Sequence, residues 1–572
     1  MTQHPWWKGA VFYQIYPRSF ADANGDGIGD LPGIISRLDY LAWLGIDAIW
    51  LSPHYPSPQF DCGYDVADYT GVNPEYGTLD DFRRLLDGAH QRKMRILLDL
   101  VLNHTSDQHA WFVESRSSRD NPKRDWYIWR DGRDGGPPNN WESTFGGPAW
   151  ELDPVTGQYY YHFFFRQQPD LNWRNPEVQQ AMFNAVRFWL DMGVDGFRLD
   201  APGTLFEVED LRDSPVKESL LDLYAQWQYG PSAEVRERAR KRLELKFKYQ
   251  EGQPELHRVL RDLRKLVDEY DERYLVGETS DIKCYGDGRN ELHSVFNFEL
   301  LDLEHLTAED VYEKLSQRLP RLPAEAWEGN TFANHDSGRS RSHFGDGEHD
   351  AEWTRLIAVL ELTLRGSPFI YQGEEIGMQD WPMQDVAQFR DNLSVWIYHA
   401  AREQFGMAQA EALKVANAKG RDKGRTPLQW GPGPNADFCP AGVAAWLPVH
   451  PNYSQGVNVQ QQQQDPDSLL HFYKRLIALR KSSPALTCGA MALLENTAPG
   501  CLAYLRQAEG QTLLVALNLT GTPQPGLLRL VKRWLTGRRV RCVFSTREHM
   551  DSAEALAGLR LAPYEAYIGE FV

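Results

Sequence analysis

The 572-residue chain lacks any apolar run of the roughly 18 or more residues that a helical membrane span needs. It has no excess of basic residues either: 61 Lys and Arg stand against 79 Asp and Glu, a net charge of −18. Nucleic acid or an anionic membrane surface would want a basic patch, so both are excluded as partners. Neutral or cationic small molecules remain. Cysteine is scarce, with residues at 62, 284, 439, 488, 501 and 542 and neither a CxxC pair nor zinc-ligand spacing among them. The opening "MTQHPWWKGAVFYQIYP" has no basic start, apolar run and cleavage site of a secretory signal. The expectation is a cytoplasmic protein with reduced thiols, monomeric or homodimeric. No internal repeat is found. What is abundant is apolar and aromatic: 42% hydrophobic residues allow a sizeable core. The 19 Trp serve that core first and sugar-stacking clefts second.

Eight short apolar runs recur along the chain: 11–17, 48–53, 95–103, 196–200, 274–279, 294–299, 330–336 and 368–375. They read as buried parallel strands, which are near-continuously apolar rather than alternating. Amphipathic patterns such as "TLDDFRRLLDGAHQRK" lie between them. Eight strand–helix units predict an α/β protein of the (β/α)8 TIM-barrel type, residues 1–104 and 180–485. A Gly-, Pro- and Trp-rich stretch at 105–179, after the third strand, reads as an inserted subdomain. Short alternating strands such as "TLLVALNL" predict a C-terminal all-β domain, a sandwich, over 486–572. Segment 231–272, rich in Arg, Glu and Leu, reads as an exposed helix.

In such a barrel the reactive groups sit at the C-terminal strand ends. The third strand ends at Asp99, Asn103 and His104, and the fourth at Arg198 and Asp200. Glu278 ends the fifth, and Asn334, His335 and Asp336 the seventh. Asp200 in "GVDGFRLDAPG" taken alone is a helix cap. Three acids from three strands meeting on one rim favour a reactive site. Paired carboxyls flanking a bond suit glycosidic cleavage, one ionised and one protonated. Arg198, on the same strand face, would hold Asp200 ionised by lowering its pKa, while neighbouring carboxylates would raise that of Glu278.

The strings "DLVLNHTS" (99–106), "GVDGFRLDA" (193–201), "LVGET" (275–279), "FANHD" (332–336), "QPDLNW" (168–173), "DCGYDVADY" (61–69) and "GRDKGRTPLQW" (420–430) occur in this order. With them the chain resembles the α-glucosidase and oligo-1,6-glucosidase group of the α-amylase superfamily, glycoside hydrolase family 13. The resemblance implies Asp200 as nucleophile, Glu278 as general acid and base, and Asp336 as stabiliser of the transition state. It implies Arg198, His104 and His335 against the sugar, Tyr64 stacked on its ring, and Asp61 and Arg421 on the non-reducing-end hydroxyls. It further implies a retaining, exo-acting enzyme of short α-glucosides, with transglucosylation. Ala201, next to the nucleophile, implies α-1,4 linkages such as maltose. In "DANGDGIGD" (22–30), an EF-hand would need an acid where Gly33 stands, so that loop type is excluded. The resemblance implies one structural Ca²⁺ or Mg²⁺ held by Asp22, Asn24, Asp26, the Ile28 carbonyl and Asp30, and no organic cofactor. Two rival readings keep the scaffold: a transglucosidase or disaccharide isomerase such as a trehalose synthase, and a non-catalytic transporter subunit. The second would carry a membrane helix and lose the acids, neither of which is seen.

Overall fold

The structure, a computed structural model, describes residues 4–495, 497–524, 538–547 and 554–572. Eight strands form its central sheet: β1 Phe12–Ile15, β2 Ala48–Leu51, β3 Arg95–Val101, β4 Gly196–Asp200, β5 Tyr274–Gly277, β6 Ser294–Val295, β7 Gly329–Asn330 and β8 Ser367–Tyr371. All pairings are parallel, in the order β7-β8-β1-β2-β3-β4-β5-β6. A parallel bridge between Phe296 and Gly329 closes the ring. These are the eight runs read from the sequence. Each is buried on both faces, because a parallel barrel strand has helices outside and packed side chains inside.

The barrel interior is aromatic below and polar above. Phe12, Ala48, Trp50, Leu97, Tyr274, Val276, Phe296 and Phe369 form one buried cluster, with Phe12 stacked on Phe369 at 4.3 Å. Side chains on one strand face recur every second residue. The next inward step on β3 and β4 is therefore Asp99 and Arg198, which are register partners. Outside, helices present apolar faces. Leu79–Gln91 buries Phe82, Leu85, Leu86 and Ala89, and opens on a reciprocal cap between Thr78 and Asp81. Pro176–Met192 begins at an Asn175 cap and ends at Gly193, whose φ of 106° few other residues adopt.

Between β3 and β4 a small antiparallel sheet, Trp129–Arg130, Tyr159–Tyr161 and Trp150–Leu152, forms in the expected insertion. Segment 231–272 is not one exposed helix. Ala233–Phe247 is largely exposed, but Leu256–Val267 buries Leu256, Val259, Leu260, Leu263, Leu266 and Val267 against the barrel. Residues 204–247 form a second insertion, after β4, whose helix Leu220–Tyr229 packs on the first through Trp141, Trp150 and Phe163. A third, the helix pair Asn392–Glu403 and Gln409–Lys419, follows β8.

Six C-terminal strands, β9 Ala490–Leu493, β10 Cys501–Ala508, β11 Gln511–Asn518, β12 Arg539–Ser545, β13 Glu554–Ala555 and β14 Ala566–Phe571, form one antiparallel sheet ordered β9-β10-β11-β14-β12-β13. One face (Leu502, Tyr504, Leu513, Val515, Ile568) joins the barrel core, and the other covers Leu556, Leu559 and Leu561. Among the described residues this is a single sheet rather than the expected sandwich.

Candidate active site

The β4 register explains the centre of the site. Arg198 and Asp200 lie two residues apart, so they share the inner face, and Asp99 lies across from Arg198. Arg198 Nη1 donates to Asp99 Oδ1 and to Asp200 Oδ1, both at 2.7 Å. Its Nη2 lies 2.7 Å from Glu278 Oε1. The Ala201 N–H donates to Glu278 Oε2 at 3.0 Å from a left-handed backbone, φ 33° and ψ 53°. One guanidinium thus fixes three carboxyl groups. Asp99 is sealed beneath by Trp50 Nε1 at 3.1 Å and the Tyr64 hydroxyl at 3.0 Å.

Across the pocket, Arg421 Nη2 donates to Asp61 Oδ1 at 2.6 Å and to Asp391 Oδ1 at 2.7 Å, and Nη1 reaches Asp336 at 3.5 Å. Arg425 donates to Asp336 Oδ1 at 2.6 Å. Gln168 Nε2 lies 3.0 Å from both Asp61 Oδ2 and His104 Nε2. Gln14 donates to His335 Nδ1 at 2.7 Å, which leaves the ring proton on Nε2, 2.5 Å from the Tyr64 hydroxyl that accepts it; Asp336 Oδ2 lies 3.1 Å from the same nitrogen.

The pocket between these groups is lined by Asp61, Tyr64, His104, Asp200, Ala201, Glu278, Asp336 and Arg421, with Phe145, Phe164 and Leu393 on its rim. Three expectations shift here. Arg198 and His335, expected against the sugar, are buried and do not line this pocket. Burial, with Asp99, raises the pKa of Asp200; Arg198 lowers it, as expected, but does not outweigh the burial. Glu278 is raised as expected, chiefly by burial, against Arg198 and helped by the charges of Asp200 and Asp336. Burial also works against the charge of Asp336, but the guanidiniums of Arg425, Arg421 and Arg198 hold the group well below the carboxylate range. Burial keeps the imidazoles neutral, His104 at about 4 and His335 well below its ordinary value, so the Nε2–H of His335 donates to the Tyr64 hydroxyl. Six carboxyl groups around Arg198, Arg421 and Arg425 cannot all ionise cheaply. The arrangement can present one ionised and one protonated carboxyl to the same bond.

Sequence reading missed Gln168, Asp391, Arg425 and the aromatic rim. Gln168 and Arg425 lie inside strings already singled out. Asp391, in "FRDNLSVW", had no local signal, because only the fold brings it to Arg421.

In loop 22–30 the donors are all oxygen, which suits a hard cation. Asp22 accepts from the Gly25 and Gly27 N–H groups, and Asp26 from Ile28 N–H and the Asn24 amide. Each carboxylate keeps unused lone pairs. Asp30 is more committed, accepting from Ala23, Asn24 and Gly33 N–H and capping the helix Leu31–Ser36. Among the described residues no three His, Cys, Asp or Glu side chains converge as a metal cluster.

Residues 14–489 match the family described as alpha amylase, catalytic domain, and residues 491–568 match the maltogenic amylase C-terminal domain. The chain is similar to an oligo-1,6-glucosidase of Parageobacillus thermoglucosidasius, 39% identical over 98% of each chain. It is 38% identical to an alpha-glucosidase of Candida albicans, over 91% of this chain and 93% of that one. Among solved structures it resembles the trehalulose synthase MutB of Pseudomonas mesoacidophila MX-45, with a TM-score of 0.88, 37% identity and full coverage of both chains. A mutant of that synthase was solved with its substrate sucrose.

Proposed function

From the premise that the chain belongs to the α-amylase family of glycoside hydrolases, we propose that it is a retaining, exo-acting α-glucosidase of short α-glucosides. The observation that supports this best is Arg198, which pins Asp200 and Glu278 2.7 Å from its two terminal nitrogens. A pair tied to one guanidinium suits the close spacing of a retaining pair, roughly 5–5.5 Å, better than the wider gap that admits a water.

Asp61 and Arg421, with Gln168 bracing Asp61 from behind, close the far end of the pocket and hold the terminal hydroxyls of a glucosyl unit, so only a chain end fits. An Asp200 oxygen attacks C1 while Glu278 gives its proton to the glycosidic oxygen. The C1–O bond breaks, a glucosyl ester forms on Asp200, and the alcohol leaves. Glu278, now ionised, takes a proton from water, whose oxygen attacks C1 and frees Asp200. Another sugar in place of that water gives transglucosylation. Asp336, held ionised, faces the positive charge that develops at C1.

Ala201 supports α-1,4 linkages, since its small side chain leaves room beside the scissile bond. The oligo-1,6-glucosidase relatives make isomaltose the competing substrate, and the resemblance to a trehalulose synthase favours sucrose isomerisation as the second reading. Incubation with maltose, isomaltose and sucrose, followed by chromatography of the products, decides among them. Faster loss of maltose to glucose supports the proposal. Preferred loss of isomaltose overturns the α-1,4 part, and a new disaccharide from sucrose without matching free glucose overturns hydrolysis. Asp22, Asn24, Asp26, the Ile28 carbonyl and Asp30 would hold one Ca²⁺ or Mg²⁺, which would brace the loop and take no part in bond cleavage. No helix among the described residues is long and apolar enough to cross a membrane.

A further inference from the structure

Beside the catalytic pocket lies a second, apolar cleft that the mechanism does not use. Two insertions build it. The helix Leu220–Tyr229 presents Leu221, Tyr224, Ala225 and Gln228, and the helix Asn392–Glu403 presents Leu393, Trp396, Ile397 and Ala400. Both sets follow the i, i+3, i+4, i+7 spacing by which helices usually bury a stripe against a neighbour. Here the two stripes face each other across an open cleft of about 300 Å³, against about 190 Å³ for the catalytic pocket. A cleft of this size holds a small-molecule ligand. Phe405, at its outer end, is 42% exposed.

The two cavities adjoin: Phe145 and Leu393 line both. Trp396, on the cleft wall, packs against Gly146, where a Cβ would fall about 2.0 Å from a ring carbon. The lining has no carboxyl group, and the one cation is Lys419, beside the Trp227 ring at 5.8 Å. The hydroxyls of a second sugar ring would find few partners there and lose those they have in water.

We infer that this cleft is an aglycone site for α-glucosides whose leaving or accepting alcohol is an alkyl or aryl group. The inference rests on the α-glucosidase reading and names its substrate class. A glucosyl unit sits between Asp200 and Glu278, and its apolar aglycone runs past Phe145 and Leu393 between the two helices. The transfer step is the one already written, with an apolar alcohol in place of water.

The test compares octyl and methyl α-D-glucoside, kept below micelle formation, with maltose as control. Wild-type kcat/KM for the octyl compound should exceed that for the methyl compound at least about tenfold, from the apolar area buried. Leu221→Gln with Ile397→Gln should cut the octyl value at least about fivefold and leave methyl glucoside and maltose unchanged. In wild-type enzyme, 1-octanol should inhibit octyl hydrolysis at concentrations that leave methyl hydrolysis unaffected, a readout that needs no variant. Equal wild-type values for the two glucosides, with maltose still cleaved, would overturn this inference alone. So would an octyl preference that survives in a folded double variant. No turnover of any α-glucoside would overturn the proposed function and this inference with it.

Discussion

Arg198 is the residue on which the site geometry depends, because it holds Asp99, Asp200 and Glu278 at once. Removing it would leave three buried carboxyls unpaired, so Arg198→Ala should lower stability by about 3–5 kcal/mol in chemical denaturation as well as abolish turnover. Asp200→Asn should abolish turnover with an unchanged melting curve; normal turnover in that variant would remove Asp200 from the nucleophile role. The pH profile of kcat/KM follows from burial. The nucleophile must be ionised, so activity rises with pH through the lower step of the coupled pair. The acid must be protonated, so activity falls through the upper step. Burial raises both groups, so both limbs should lie above the ordinary carboxylate range, around neutral pH. Glu278→Gln assayed with an activated aryl glucoside should lose the alkaline limb. The carboxyls that meet in the pocket were legible in the sequence because Asp200 ends β4, Glu278 directly follows β5 and Asp336 lies in the loop after β7. The roles of Arg198 and His335 were not, since depth behind a pocket wall is a property of packing.

At the scale of elements, the eight barrel strands were legible because parallel strands buried on both faces are short apolar runs. The insertion after β3 was legible from its length. The insertion after β4 and the helix pair after β8 were not, because their helices bury only a stripe. The same reason hid Leu256–Val267, whose apolar face was averaged away by the exposed Arg and Glu of its neighbour. The loop 144–147 touches the helix Asn392–Glu403 at Gly146, whose φ is 92°. Gly146→Val combines backbone strain with collision against Trp396 and should cost about 1–3 kcal/mol. Calorimetry should show the loss, and Gly147→Val, which meets nothing within 4 Å, should lack the collision part.

At the scale of the whole molecule, the barrel carries the chemistry and its periphery sets the fold's endurance. Loop 22–30 reaches across to residues 438–446: Asp22 N–H donates to the Phe438 carbonyl, Trp446 N–H to the Gly27 carbonyl. A cation there should brace two distant segments. Chelation, or Asp26→Ala, should lower the melting temperature while turnover per folded molecule stays near wild type; the reverse pattern would argue for a metal in the chemistry. The C-terminal sheet shares the barrel core through Leu502, Tyr504, Val515 and Ile568, so barrel and sheet should melt together. The central claim concerns neither of these but the double displacement between Asp200 and Glu278. The most direct measurement is an NMR time course with maltose, read before mutarotation mixes the anomers. Glucose released from the non-reducing unit should appear first as the α-anomer. First appearance as the β-anomer would mean single inversion at C1 and would contradict the account.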